Sequence, residues 1–164
     1  MDTLLAIASR REDRRYDDRP IPPEVERRIL EAGRVAGSAA NKQPWQFLVV
    51  DPERLAETVY EPGNLLGAKL VVVILSTGKG GFDIGRAAQN MMLAAWNEGV
   101  GSCPNGISDR SRVVDLLNLG DGDEPVIVLS FGYPARKRDP ESRTPEEWIE
   151  RANRKPFDEV VKRL

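Results

Sequence analysis

The sequence contains no histidine and a single cysteine, Cys103, among 164 residues. The first absence removes the commonest general base near neutral pH and the commonest metal ligand. The second means that no internal disulfide can close and no zinc site can be built from thiolates. No apolar run approaches a membrane span or the hydrophobic part of a secretory signal, so the default expectation is a cytoplasmic protein without a membrane partner. An excess of positive charge is also lacking: Lys and Arg number 24 against 26 Asp and Glu, interleaved along the chain. No broad polyanion-binding surface follows, and nucleic acid is not an expected partner. Redox chemistry, if present, has to come from a bound cofactor.

The length fits one domain over residues 1–164, and no composition shift marks a second. Asp2 can cap a first helix through Leu4, Leu5, Ile7 and Ala8. Pro23 suits the first turn of a second, with Val25, Ile29, Ala32 and Ala36 on its buried face. Phe47 to Val50 reads as a strand stopped by Asp51-Pro52, and Leu70 to Leu75 as a fully apolar strand. Thr77 to Gly81 is glycine-rich but lacks phosphate-loop spacing and reads as a turn. Phe82 to Gly99 is the strongest helix, expected to be buried almost all round. Gly99 to Gly106 reads as a turn and Asp109 as the cap of a helix through Leu117. The acidic loop Gly120 to Glu124, without calcium-loop spacing, leads into a strand from Pro125 to Phe131. Thr144-Pro145-Glu146-Glu147 is a capping-box helix start.

Between the second helix and the first strand lies Ser38-Ala-Ala-Asn41-Lys-Gln43-Pro44-Trp45-Gln-Phe47. Ser38, Asn41 and Gln43 offer donors and acceptors, Pro44 favours extended geometry at Gln43, and Trp45 is an apolar anchor. Such a segment can hold polar groups against a flat, hydrogen-bonding ligand. An ordinary loop whose Asn and Ser bond their own backbone is the plainer alternative.

Together with Glu31, Ala32 and Ala36, this stretch resembles the signature of the FMN-dependent nitroreductase family, Pro-Ser-x-x-Asn-x-Gln-Pro-Trp after a helix ending Glu-Ala-x-x-x-Ala. Gly37 stands where the family usually has proline. Arg10-Arg11-Glu12-Asp13-Arg14-Arg15-Tyr16 resembles a second signature, Arg-Arg-Ser-x-Arg-x-Phe, whose basic residues hold the flavin phosphate and ribityl chain. By that resemblance Arg10, Arg11 and Arg14 take the basic positions and Arg10 the place beside the flavin pyrimidine. Glu12 replaces the serine, and its carboxylate would repel a phosphate unless it turns to pair with a neighbouring arginine. Residues 83–95 are similar to the family's central helix, which packs at the dimer interface. Pro104, Asn105 and Gly106 match the segment whose backbone faces the flavin N5 edge. Gly132-Tyr133-Pro134 matches the end of the last central strand, and Asn153-Arg154-Lys155-Pro156 a terminal element in which Arg154, with Lys155 second, reaches the phosphate.

The resemblance implies an α+β fold with a central, mostly antiparallel sheet wrapped by helices, assembled as a homodimer with FMN between the subunits. It further implies ping-pong hydride transfer from NADH or NADPH through flavin N5 to a small acceptor such as a nitroaromatic or quinone. No protein side chain acts as nucleophile in that scheme. The short region between the first two strands implies an open or differently roofed pocket. Two alternatives are a dimer that binds flavin or another nucleotide without turnover, and a family member with dehalogenase or ring-fragmentation chemistry.

Overall fold

The computed structural model describes residues 1–78 and 81–164, so the expected turn at Thr77–Gly81 falls partly on Lys79 and Gly80, outside the described residues. In chain order the elements are α1 (Thr3–Ser9), α2 (Pro23–Arg34), β1 (Trp45–Val49), α3 (Pro52–Leu55), β2 (Leu70–Ser76), α4 (Gly81–Asn97), β3 (Gly101–Asn105), α5 (Arg110–Leu117), β4 (Glu124–Gly132), α6 (Pro145–Arg151) and α7 (Phe157–Val160). They fall into two compact units, Arg11–Arg138, and Met1–Arg10 together with Asp139–Leu164.

The larger unit is α+β. Among the described residues its strands form an antiparallel sheet of order β1-β2-β4-β3. β2 is buried along its whole length because both of its faces are covered. Side chains alternate across a strand, so Leu70, Val72 and Ile74 point to one face, where they join Ile29 of α2 and Ile84 and Met91 of α4. Val71, Val73 and Leu75 point to the other, with Leu55, Leu65, Ile107 and Val113. Hence the strand reads as a continuous apolar run. Each such side chain contributes about 1.5–3 kcal/mol when fully buried. The β2–β4 register slips between Ile74 and Leu75, whose partners are Ile127 and Pro125. A proline in a central strand is tolerated at such an irregularity, where a ladder bond is already lost.

Helix starts follow side-chain chemistry. Asp109 accepts the Arg112 N–H at 3.0 Å, opening α5. α2 begins on Pro23, whose missing N–H would have had no helical partner. α2 and α4 approach closely because Gly33 leaves room for Met91: a Cβ there would meet Met91 Cγ at 2.9 Å. Gly33, rather than the half-buried Ala32, completes the inner face.

Two expectations are corrected. α4 is not buried all round, since Phe82 is 80% exposed and Gly85, Arg86, Asn90 and Asn97 share its open side. Residues 101–105, expected as a turn, form the edge strand β3. Pairing with β4 overrides their turn-like composition, and an edge position tolerates Pro104.

In the smaller unit Asp2 Oδ1 accepts the N–H groups of Leu4 and Leu5 at 2.9 and 3.2 Å and starts α1. Thr144 and Glu147 close a reciprocal capping box on α6, which packs against α1. The Trp148 indole donates to Pro140 O at 2.8 Å. Among the described residues no helix is long and apolar enough to cross a membrane.

Candidate functional site

The segment between α2 and β1 is held in an unusual backbone shape. Ala40, Asn41 and Gln43 all have positive φ, at 50°, 54° and 48°. Asparagine tolerates that region, whereas an alanine or glutamine there costs roughly 1–2 kcal/mol. Gln43 is therefore not extended, as Pro44 alone would favour. Its N–H donates to Ser38 Oγ at 2.8 Å and its carbonyl accepts from Trp45 N at 2.8 Å, and these bonds fold the chain tightly just before the proline.

Asp83, in the first turn of α4, anchors the loop from outside by accepting the Ala39 N–H at 3.1 Å. Trp45 is buried and anchors its exit. Gly37 gives room to the Arg86 guanidinium, since a Cβ would lie 3.1 Å from Arg86 Cζ. Fixed in this way, the loop presents the exposed Asn41, whose carboxamide has no hydrogen-bond partner among the described residues. Ser38 is half-buried, with its hydroxyl already accepting from Gln43.

A second constellation surrounds the end of β3. The Asn105 side chain is buried, and its Nδ2 reaches Cys103 O at 3.0 Å, Ser130 Oγ at 3.1 Å and Val128 O at 3.3 Å. Ser130 in turn meets the Tyr16 hydroxyl, 3.0 Å from its Oγ and 3.1 Å from its carbonyl oxygen. Burial pushes the Tyr16 phenol well above its ordinary value, while the hydrogen bond with Ser130 pulls in the opposite direction. The ring of Tyr16 lies on Gly132, where a Cβ would fall 2.8 Å from Tyr16 Cβ. Two positions matched separately in the sequence, the aromatic of the arginine-rich block and the glycine after the last strand, thus touch.

Pro104, Asn105 and Gly106 come together as the end of an edge strand whose inward side chain is locked by this network. Gly106 carries the ring of Tyr60 above it, a Cβ meeting Tyr60 Cδ2 at 3.0 Å, and its carbonyl accepts the Tyr60 N–H at 3.1 Å.

Within the arginine-rich block Arg14 is met by a carboxylate, and neighbouring carboxylates hold cations outside the block. Glu12 Oε2 lies 2.7 Å from Arg14 Nη2, both side chains being exposed. Asp17 holds Arg19 at 2.8 Å, and Asp18 lies 3.3 Å from Lys69. Asp13 is buried and accepts from Arg138 Nε at 2.9 Å. Glu12 pairs with Ser102 as a parallel bridge and the Asp13 N–H donates to Ser102 O at 3.1 Å, so the block runs along the free edge of β3. Arg11 is half-buried.

In the smaller unit, Arg10 ends α1 as its C-cap, its N–H donating to Ala6 O at 3.1 Å. Arg154 and Lys155 are exposed between α6 and α7 and form no ion pair among the described residues. They follow Asn153, whose φ of 49° turns the chain out of α6.

Sequence reasoning missed Asp83 and Arg138. Asp83 had a legible signal, a carboxylate at helical spacing with the buried Ala87 and Met91, where an unpaired charge is not tolerated. Arg138 had none, because its partner lies far away in sequence. Two grooves flank α2, about 380 Å³ and 580 Å³ in volume. Neither is lined by Ser38, Asn41 or residues 104–106.

An antiparallel sheet covered on both faces, with a tightly held polar loop entering β1 and a locked edge strand β3, defines a class of α+β folds. The profile of the nitroreductase family matches residues 7–74 and 81–133. A protein of Methanothermobacter thermautotrophicus, provisionally named NADH dehydrogenase/NAD(P)H nitroreductase, is 34% identical over 150 residues, covering 82% of this chain and 78% of its own. One of the same name from Archaeoglobus fulgidus is 32% identical over 154 residues, covering 84% and 88%. A crystal structure under that name from Parabacteroides distasonis superposes with a TM-score of 0.77 at 26% identity, covering 88% of this chain and 94% of the other. The chain belongs to the nitroreductase family.

Proposed function

We propose that the protein is an FMN-dependent oxidoreductase that works as a homodimer, drawing on NADH or NADPH and reducing a small acceptor such as a nitroaromatic or quinone. The observation that carries this reading is the Ser38–Trp45 loop. Its strained backbone is fixed by Asp83 and Trp45 so that an unpartnered carboxamide, that of Asn41, faces outward. Backbone strain of this kind persists only where the surrounding structure enforces it, and such positions cluster at ligand-binding sites.

The donor set fits FMN. Asn41 and Ser38 supply amide and hydroxyl groups suited to the polar edge of a flat ring. Arg154 and Lys155 form no ion pair among the described residues and are suited by charge to a phosphate, as Arg11 and Arg14 are to the phosphate or ribityl chain and Arg10 to the flavin pyrimidine. The buried line Tyr16–Ser130–Asn105 fixes the backbone of Pro104, Asn105 and Gly106, so that main-chain groups can be held against the ring without loss of geometry. Bound FMN supplies the two-electron chemistry, which a chain with no histidine and one buried cysteine does not itself offer. The open side of α4, with Phe82 exposed and Gly85 beside it, is the face assigned to the second copy. Ser38 and Asn41 of one copy then approach the flavin held mainly by the other.

The test is spectroscopic. Purified protein supplied with FMN is expected to bleach anaerobically on addition of NADH or NADPH and to recover when a nitroaromatic or quinone is added. Flavin that binds but never bleaches would favour instead a protein that holds flavin without turnover, a reading motivated by Glu12 and by the short region between the first two strands. A chain that takes up no FMN would end the proposal.

A further inference from the structure

Within the larger unit, the outer edge of β3 is covered on either side of a short gap. At Ser102 the cover is the segment Glu12–Asp13. Past the end of the strand it is residues 58–60: the Tyr60 N–H donates to Gly106 O at 3.1 Å, the Ser108 N–H to Thr58 O at 2.8 Å, and the buried Val59 and Ile107 pair between them. In the gap lie Pro104, which has no N–H, and the Gly106 N–H, which finds no acceptor among the described residues. Tyr60 stands beside this free donor. Its backbone is pinned, yet the residue is 73% exposed. A Cβ on Gly106 would meet Tyr60 Cδ2 at 3.0 Å and Cε2 at 3.3 Å, so the ring leans on the glycine by one edge and keeps its faces free. Its hydroxyl has no hydrogen-bond partner among the described residues. Such a ring adds little to the core, since most of its apolar area stays in water. What it offers is an aromatic face on an anchored backbone, next to an unused main-chain donor.

We infer that Tyr60 is a specificity-determining residue of the acceptor site, favouring flat aromatic acceptors over acceptors that have no ring. The inference rests on the flavin reading above, in which the main chain of Pro104, Asn105 and Gly106 is held against the flavin. An acceptor reduced there has to come to the same stretch of chain, and Tyr60 is the aromatic side chain that leans on it. A flat ring laid on the Tyr60 face gains an offset-stacked contact. The entropic cost is small, because tyrosine has two side-chain torsions and this one has its backbone already held. A compact inorganic oxidant gains nothing from that face. The region between β1 and β2, although short, thus supplies an aromatic wall.

The experiment uses the full chain loaded with FMN, as wild type, Tyr60→Phe and Tyr60→Leu. The first substitution keeps the ring, and the second keeps an apolar cover on Gly106 while removing the aromatic face. Equilibrium dialysis with naphthol, a flat aromatic that accepts no hydride, reads binding without turnover. Tyr60→Leu is expected to weaken naphthol by about three- to tenfold, and Tyr60→Phe to stay within about twofold of the wild type. In turnover, the ratio of kcat/KM for menadione to that for ferricyanide should fall by a similar factor in Tyr60→Leu, through KM more than kcat. An unchanged naphthol affinity or an unchanged ratio in Tyr60→Leu, or an equal loss in Tyr60→Phe, would overturn the role of Tyr60 while leaving the flavin reading intact. A wild type that takes up no FMN would end both.

Discussion

The Asp83 carboxylate accepts the main-chain N–H of Ala39 at 3.1 Å, tying the first turn of α4 to the loop that carries Ser38 and Asn41. The bond crosses from a packed helix to a strained turn. It supplies an external restraint that the local sequence of the loop does not contain.

Asp83→Ala should therefore release the loop more than it harms the core. Loss of a largely buried, charge-assisted bond is expected to cost about 1.5–3 kcal/mol in urea unfolding. Trypsin should cut faster after the exposed Lys42, and bound FMN should be retained less well. Asp83→Asn keeps an acceptor and should lie between the two. Unchanged protection at Lys42 in Asp83→Ala would show that Trp45 and the loop's own bonds suffice.

Gly132→Ala probes the contact between the start and the end of the larger unit. The new methyl would lie 2.8 Å from Tyr16 Cβ, which belongs to the root of the side chain and cannot swing away without moving the backbone. Overpacking of this kind costs about 1–3 kcal/mol, read as a lowered urea midpoint at unchanged slope. A variant as stable as the wild type would mean that the Tyr16 segment shifts freely along the sheet.

Much of the fold was legible because its signals are local. Asp2, Pro23, Asp109 and the Thr144–Glu147 pair each announce a helix start through groups within three residues, and all four open helices. β2 announced itself as an apolar run because both of its faces are covered. What failed was non-local. β3 is a strand because β4 templates it, against its own Gly, Pro and Asn content. Gln43 is left-handed because Ser38 and Trp45 bond to it, against the preference set by Pro44. The open side of α4 was also hidden, since its small and apolar residues suit a buried face equally well. At the candidate site, the pairing of Glu12 with a neighbouring arginine could be anticipated from charge alone. The Tyr16–Ser130–Asn105 line could not, because its members lie on three separate stretches of chain.

Arg154→Ala should weaken FMN binding by about tenfold or more, the usual worth of one hydrogen bond between charged groups, and Lys155→Ala by less. Riboflavin affinity should be unaffected by either change, since neither cation has another role among the described residues. Equilibrium titration with both flavins checks this. An unchanged FMN affinity in the double variant would remove the segment after α6 from the phosphate site.

Tyr16→Phe separates the hydroxyl from the ring. At neutral pH the loss of the bond to Ser130 should cost about 0.5–1.5 kcal/mol. At high pH the comparison changes, because burial raises the folded-state pKa of Tyr16 above that of the unfolded chain. The unfolded phenol ionises from about pH 10, whereas the folded one stays protonated, so the unfolded state binds fewer protons there and wild-type stability falls as pH rises. The phenylalanine variant has no such group at this position. Its deficit relative to the wild type should therefore shrink from pH 10 upward, by as much as about 1.4 kcal/mol per pH unit. Urea unfolding of both proteins from neutral pH to about pH 11 measures the difference directly and cancels the other titrating groups they share. A deficit that stays constant across that range would mean that the Tyr16 hydroxyl ionises as readily in the folded protein as in water, and the buried line to Asn105 would lose its first member.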